Sequence, residues 1–239
     1  GTSILDTAGN ELLNLTATGS AATEFTIANA TTGVAGPVLS ATGETNVGIN
    51  INPAGTGVLK SGGSAIKIAG LETIFVPAMA MFGTTTNGAD AQAIETTATR
   101  PEMKVLDFDA STNEYSQFSI AMPKSWDEGV ITFQAFWAPS NTNTDNALIG
   151  LQGVSVANDA TSDVVFGTAI YVTDAGGGAV EDVLVSPVSA NVTVASAAVD
   201  TYTYFQVVRN AADGSDTFTG DVRLLGIKIF YTTDAANDA

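Results

Sequence analysis

Apolar residues in this chain recur at every second position in short runs, and glycine or a glycine-bearing polar cluster ends almost every run. Period two marks a strand with one buried face, because successive side chains leave a pleated backbone on opposite sides. It does not fit a helix, whose buried stripe recurs every three to four residues. Phe118, Ile120 and Met122 alternate with Ser119 and Ala121, while Ile131, Phe133, Ala135 and Trp137 alternate with Thr132, Gln134 and Phe136. Phe136 breaks the outer face, which predicts that its strand is covered on both sides. The expected fold class is therefore all-β.

The pattern changes near residue 70, which divides the chain into 1–70 and 71–239. The first region consists of short pieces, Leu12 to Thr16, Glu24 to Ala28, Pro37 to Ala41, Thr45 to Ile51, Val58 to Lys60 and Ala65 to Ile68. Between them lie turns such as Ala54-Gly55-Thr56-Gly57 and Ser61-Gly62-Gly63, where glycine supplies positive φ. Phe25 is its only aromatic residue. One copy could not offset the cost of ordering the backbone, about 1 to 2 kcal/mol per residue. Several copies sharing a core would bury the alternate Leu, Ile and Val side chains and pair the free sheet edges. The region is expected to be an intertwined, β-prism-like shaft that holds the chain as a homotrimer.

The second region carries longer runs with large apolar residues: Thr73 to Phe82, Met103 to Phe108, Tyr115 to Met122, Val130 to Ala138, Ala147 to Val156, Val164 to Val172, Val180 to Val185, Asn191 to Ala195, Tyr202 to Val208 and Val222 to Tyr231. Ten strands without helical periodicity predict an antiparallel β-sandwich of jelly-roll type as a C-terminal head.

Composition narrows the chemistry. With 45% hydrophobic and 14% charged residues the chain can build a core. No stretch approaches the roughly 18 to 20 apolar residues of a membrane span, which argues against membrane insertion. The start, Gly1 to Asp6, lacks the basic and apolar pattern of a signal peptide, and Gly1 in place of Met leaves room for a removed N-terminus. Eight Lys and Arg against 25 Asp and Glu give a formal charge of −17, which repels nucleic acid and anionic lipid. The absence of Cys removes disulfides and thiolate metal sites, and the absence of His removes the commonest general acid and base.

The remaining candidates for chemistry are carboxylates. Asp107 and Asp109 alternate with Leu106 and Phe108, so both should share a strand face, where proximity would raise one pKa. Asp127 and Glu128 fall in the turn after Trp126. Paired carboxylates can cleave glycosidic bonds, yet a strand-end cap or a chain interface explains this pair as well, and no enzyme is expected. Calcium is conceivable at Asp213-Gly214-Ser215-Asp216 or among Asp107, Asp109 and Asn113, but neither has the spacing of an EF-hand. A hairpin turn accounts for the first without metal, and no cofactor is implied. Gly176-Gly177-Gly178 lacks the Lys-Ser or Lys-Thr and the strand-to-helix setting of a phosphate loop. Trp137, Tyr115, Tyr171, Tyr202 and Tyr204 occupy strand positions and are expected in the core, whereas Trp126 is expected to be partly exposed. The candidate contact surface comprises Trp126 and the polar loops bearing Asn141, Asn143, Asp145, Asn146, Asp174, Gly176, Gly177 and Gly178, chosen because long polar loops are free of core obligations.

Two sets of strings carry a family resemblance. The first runs through Asp6-Thr7-Ala8-Gly9-Asn10-Glu11-Leu12, Phe25-Thr26-Ile27-Ala28-Asn29-Ala30-Thr31-Thr32-Gly33, Ser40-Ala41-Thr42-Gly43 and Asn50-Ile51-Asn52-Pro53-Ala54-Gly55-Thr56-Gly57. The second runs from Ile74-Phe75-Val76-Pro77-Ala78-Met79-Ala80-Met81 through Leu106-Asp107-Phe108-Asp109, Met122-Pro123-Lys124-Ser125-Trp126 and Gly150-Leu151-Gln152 to Thr232-Thr233-Asp234-Ala235. In this order the chain resembles fibre and appendage proteins of tailed bacteriophages. The resemblance implies a structural role on the exterior of the virion, usually as a homotrimer. It also implies an N-terminal end that meets another virion protein and a head that faces a host glycan or protein. A capsid decoration or head-fibre protein is the alternative, and a polysaccharide-cleaving spike a third.

Overall fold

The computed structural model describes residues 2–5, 7–9, 11–15, 19, 24–28, 38–42, 49, 51, 59–61, 64–65 and 70–234. The chain divides into two compact units, Gly1–Ile66 and Lys67–Ala239. The first contains β1 (Thr2–Leu5), β2 (Glu11–Leu15), β3 (Glu24–Ala28), β4 (Val38–Thr42), β5 (Lys60–Ser61) and β6 (Ser64–Ala65). Successive strands pair as antiparallel ribbons, β1 with β2, β3 with β4 and β5 with β6. The strand expected over Thr45 to Ile51 lies mostly outside the described residues, as does most of that expected over Ala65 to Ile68.

The second unit begins with β7 (Gly70–Pro77), a 3-10 turn (Ala78–Ala80), β8 (Phe82–Gly83), β9 (Asp90–Glu95), β10 (Glu102–Phe108) and β11 (Glu114–Ile120). It continues with β12 (Thr132–Pro139), β13 (Asn146–Val156), β14 (Ile170–Ala175), β15 (Leu184–Val185), β16 (Val194–Ala195), β17 (Tyr202–Arg209) and β18 (Val222–Thr233). Two sheets form, ordered β15-β12-β18-β10-β9 and β14-β13-β17-β11-β8. In the first, β12 lies along one edge of β18, while β10 and β7 share the other. In the second, only β16 runs parallel to its neighbour β13. From β10 to β13 the chain changes sheet at every connection, the path of a jelly-roll-like sandwich.

The inward sets of the alternating strands meet between the sheets. Leu106, Phe108, Phe133, Trp137, Leu224, Ile227 and Ile229 come from the first sheet, and Phe118, Ile149, Leu151, Phe205 and Val207 from the second. Burying each such side chain contributes about 1.5 to 3 kcal/mol. Phe118 and Phe205, paired across β11 and β17, stack with ring centroids 5.2 Å apart.

Several expectations need correction. The strand expected over Thr73 to Phe82 stops at Pro77, which has no N–H to extend a ladder, and the chain turns through Ala78–Ala80. Between Val164 and Val172 only Ile170 onward is strand; Val164 and Val165 are exposed on a segment that has left the sheet. The stretch from Val180 yields only Leu184–Val185, and β9 was not expected from its mostly exposed, alanine-rich pattern. Within one copy, and among the described residues, Phe136 is only half-buried, with Phe75 of β7 meeting it edge-on at 5.4 Å on the same face. That approach needs Gly226 beneath, since a Cβ there would lie 2.5 Å from the Phe75 ring.

Candidate functional site

The polar loops proposed from sequence do come together, at one end of the sandwich. Gly176 N–H donates to Asp145 O at 3.0 Å, which joins the loop after β12 to the loop after β14. Their polar groups are nevertheless engaged within the fold. Asn141 Oδ1 accepts from Asn143 N–H, and the Asn143 amide donates to Asp145 at 2.9 Å while its Oδ1 accepts from Asp145 N–H. The backbone of Asn146 is engaged too, its carbonyl accepting from the N–H groups of Thr217 and Phe218 and its N–H donating to the Thr217 hydroxyl. Asp174 accepts from the indole of buried Trp137 at 2.8 Å, and Gly176 is itself buried against Asn143 and Phe218. Freedom from core obligations therefore fails for Asp174 and Gly176; Gly177 and Gly178 remain exposed. Trp126, expected at the surface, is 1% exposed. Its backbone N–H bonds Pro123 O and it bridges Thr233, which draws the indole inward with β18.

The carboxylates form a separate, acidic cleft of about 290 Å³ lined by Asp90, Gln92, Asp107, Asp109, Glu114 and Asp221. Asp107 and Asp109 thus share a face as the alternation required. Burial, then Asp221, pushes the Asp107 carboxyl up to about 6, opposed by Arg223. The neighbour that matters is Asp221, not the expected Asp109. Asp109 is held below the usual carboxylate range by hydrogen bonds from Ser111 and Thr112, and burial raises Glu114. The conceivable calcium ligands have other partners: Asp109 Oδ1 accepts from Ser111 and Thr112, and Asn113 Oδ1 from Ala212 N–H. Asp213 Oδ1 accepts from Ser215 N–H, while Asp216 is paired with Arg209. Among the described residues no group of three or more His, Cys, Asp or Glu side chains is placed to hold a metal ion. In the turn after Trp126, Asp127 accepts from Gly129 N–H and Glu128 from Val199 N–H.

A third arrangement lies on the outer face of the second sheet. On β17 the residues Thr203, Phe205 and Val207 point inward, so Tyr202, Tyr204 and Gln206 point out. Gln206 stands opposite both Gln152 of β13 and Gln117 of β11, a row of three amides, and the Gln152 amide donates to Gln206 at 2.6 Å. Tyr171 of β14 lies on Gly150, where a Cβ would come within 2.6 Å of its ring; burial followed by Tyr115 and Asp213 raises its phenol pKa. After β13 the chain leaves the sheet and returns across this face. Together they enclose a groove of about 430 Å³ lined by Asn158, Asp159, Ser162, Asp200, Tyr202 and Tyr204. It adjoins one of about 280 Å³ lined by Gln117, Val154, Val164 and Phe166, with Ser162 and Tyr204 common to both. Tyr202 and Tyr204 meet at 74° with centroids 4.9 Å apart, and the Tyr202 hydroxyl hydrogen-bonds Ser119 Oγ.

These tyrosines were expected in the core. Trp137 is there, but Tyr202 is 52% exposed, Tyr171 is exposed, and Tyr115 and Tyr204 are half-buried. The signal was present in the sequence. Tyr204 and Phe205 are neighbours on one strand and cannot both face inward, and of the two only Phe205 has no hydroxyl that burial would have to satisfy.

No protein-family model matches the chain, and no curated protein matches it. Among solved structures it is similar to the CBM36-1 domain of a multidomain xylanase from the hindgut metagenome of Trinervitermes trinervoides, at 13% identity and a TM-score of 0.35, covering 66% of this chain and 96% of that one. It is also similar to a family 11 carbohydrate-binding module from Clostridium thermocellum, at 9% identity and a TM-score of 0.37, covering 67% and 95%. A third similarity is to an isomalto-dextranase of Arthrobacter globiformis T6, at 11% identity and a TM-score of 0.33, covering 66% of this chain and 23% of that one.

Proposed function

We propose that this chain is a non-enzymatic structural protein of the exterior of a tailed-phage virion, a homotrimeric fibre whose C-terminal sandwich meets the host surface. The observation that carries the reading is the apolar surface a single copy leaves in water. In the first unit Leu5, Ile49, Ile51 and Leu59 are exposed. On the first strand of the head Leu71 is 66% and Phe75 51% exposed, beside half-buried Phe136 and exposed Val185. On the head, Phe75 meets Phe136, which pairs with Val185, and exposed apolar surface of this kind marks an interaction face. Further copies of the same chain are its natural occupant, because the strand that bears it follows directly on a region too poor in aromatics to form its own core. The ordered strings that resemble those of phage fibre proteins support the setting.

Light scattering on the full chain should give a mass near that of three copies, and Leu71→Glu with Phe75→Glu should lower it. A stable monomer of the unaltered chain would overturn the fibre reading. Labelling of intact particles with an antibody to the head tests the location; failure to find the chain on any virion counts against it.

A further inference from the structure

We propose that the groove on the outer face of the second sheet is a binding site for a neutral oligosaccharide, with Tyr202 as the stacking platform and Asp159 and Asp200 as hydroxyl acceptors. The proposal deepens the attachment role given to the head by naming the site and the ligand class. It moves that site from the loops at the end of the sandwich to the outer face of the second sheet, where an exposed aromatic ring stands beside carboxylates.

The lining has two kinds of group in one place. Tyr202 presents a half-exposed ring, held edge to face by Tyr204 and anchored through its hydroxyl to Ser119. A tyrosine fixed in this way offers a large amphipathic contact at small entropic cost. The apolar side of a pyranose ring matches it in shape, and the ring's hydroxyls then project toward the groove walls. There Asp159 and Asp200 are acceptor-only groups, and the Asn158 amide donates to Asp159 Oδ2 at 2.9 Å, which holds that carboxylate in the groove wall. Both aspartates have positive φ, 61° and 57°, which Asp tolerates in turns. The adjoining groove, reached past Tyr204, adds Phe166 and the Gln117 amide, so the site is long enough for more than one ring.

Charge selects among saccharides. The groove contributes carboxylates without a Lys or Arg, and the chain carries a formal charge of −17. An acidic polysaccharide would be repelled at long range and would bring its own carboxylates against Asp159 and Asp200. A neutral sugar instead donates hydroxyl protons to them.

The test is titration calorimetry of the full chain with neutral tetrasaccharides of glucose, galactose, mannose and N-acetylglucosamine, with oligogalacturonate as the acidic probe. At least one neutral probe should bind, and oligogalacturonate should bind at least about tenfold more weakly. Tyr202→Ala should weaken binding by about tenfold or more, as truncating an aromatic anchor does. Tyr202→Phe should retain most of it, because the ring remains. Asp159→Asn with Asp200→Asn should also weaken the neutral probe, because the acceptor-only groups are lost. Tyr202→Ala also loses the Tyr204 and Ser119 contacts, so its melting temperature should fall modestly, and binding measured well below that temperature, beside Tyr202→Phe, separates lost stacking from lost folding. Binding by none of the neutral probes, or unchanged binding in Tyr202→Ala, overturns the site. The oligomer mass is read on the same samples: a monomer that binds sugar removes the fibre and keeps the site, and a trimer that binds none does the reverse.

Discussion

Arg209 and Asp216 are both 1% exposed, and the guanidinium meets the carboxylate through two hydrogen bonds, Nε to Oδ2 at 3.1 Å and Nη2 to Oδ1 at 3.0 Å. The remaining donors go to the carbonyls of Phe108, Gly220 and Phe218, and Asp216 also accepts from Leu148 N–H. Asp216→Ala would strand a buried cation together with a backbone donor. It should cost about 3 to 5 kcal/mol in urea unfolding. Asp107 makes a second prediction, of opposite sense. Its folded pKa, about 6, lies above the ordinary 3.8, so the folded state takes up a proton before the unfolded chain does. The charged form therefore weakens the fold above about pH 6. As pH falls from 7 toward 4 this group makes the fold more stable, and Glu114, also raised by burial, acts in the same direction. The urea midpoint of Asp107→Asn should rise at pH 7 and change less between pH 7 and pH 5 than that of the unaltered chain; an equal pH dependence would refute the assignment. The sequence showed that Asp107 and Asp109 share a face, because alternation is local. Asp221 and Arg223, more than a hundred residues on, decide how Asp107 titrates, and no local pattern announces them.

At the scale of elements, the edge of β12 shows how a short partner strand is extended without a ladder. β15 pairs only with Phe136 and Trp137, and Pro187 stands two residues past its end. Beyond β15, Ser186 and Ser189 take over through both backbone and side chain. The hydroxyl of Ser186 accepts from Ala135 N–H and that of Ser189 from Phe133 N–H, each at 2.9 Å, while their own N–H groups donate to Ala135 O and Phe133 O. Ser186→Ala should leave a buried backbone donor without its acceptor and lower unfolding free energy by about 1 to 3 kcal/mol. Amide exchange at Ala135 should quicken with it. Strands of seven residues or more, such as β11, β12, β13, β17 and β18, were legible because their alternation runs long enough to define two faces. β8, β15 and β16 have two residues each, which carry no period, and they exist because neighbours offer an edge. The same limit hid the groove: its outer wall is the 157–166 segment, whose valines resemble a strand but lie across a face instead of within it.

For the whole molecule, two opposite sheet faces have distinct chemistry. One presents Leu71, Phe75 and Val185, the other tyrosines, amides and aspartates. If copies associate through the first, the second stays turned to solvent, and three grooves per assembly raise avidity without new contacts. Binding to a sugar-coated surface should then weaken far more than binding to soluble sugar when Leu71→Glu and Phe75→Glu separate the copies, which surface plasmon resonance against calorimetry can measure. One pairing in the first sheet has a consequence of another kind. β7 opens the head and β18 closes it, and Gly70 stands directly across from Thr233, its N–H on the threonine hydroxyl at 3.1 Å. The head therefore enters and leaves through one doorway, so a short glycine-serine splice from Thr233 to Gly70 would not stretch it, and new ends cut at exposed Gly214 should yield a permuted sandwich that still folds. In an evolving genome that geometry makes the head a cassette, able to be set into a surface loop of an unrelated protein as readily as onto the end of a stalk.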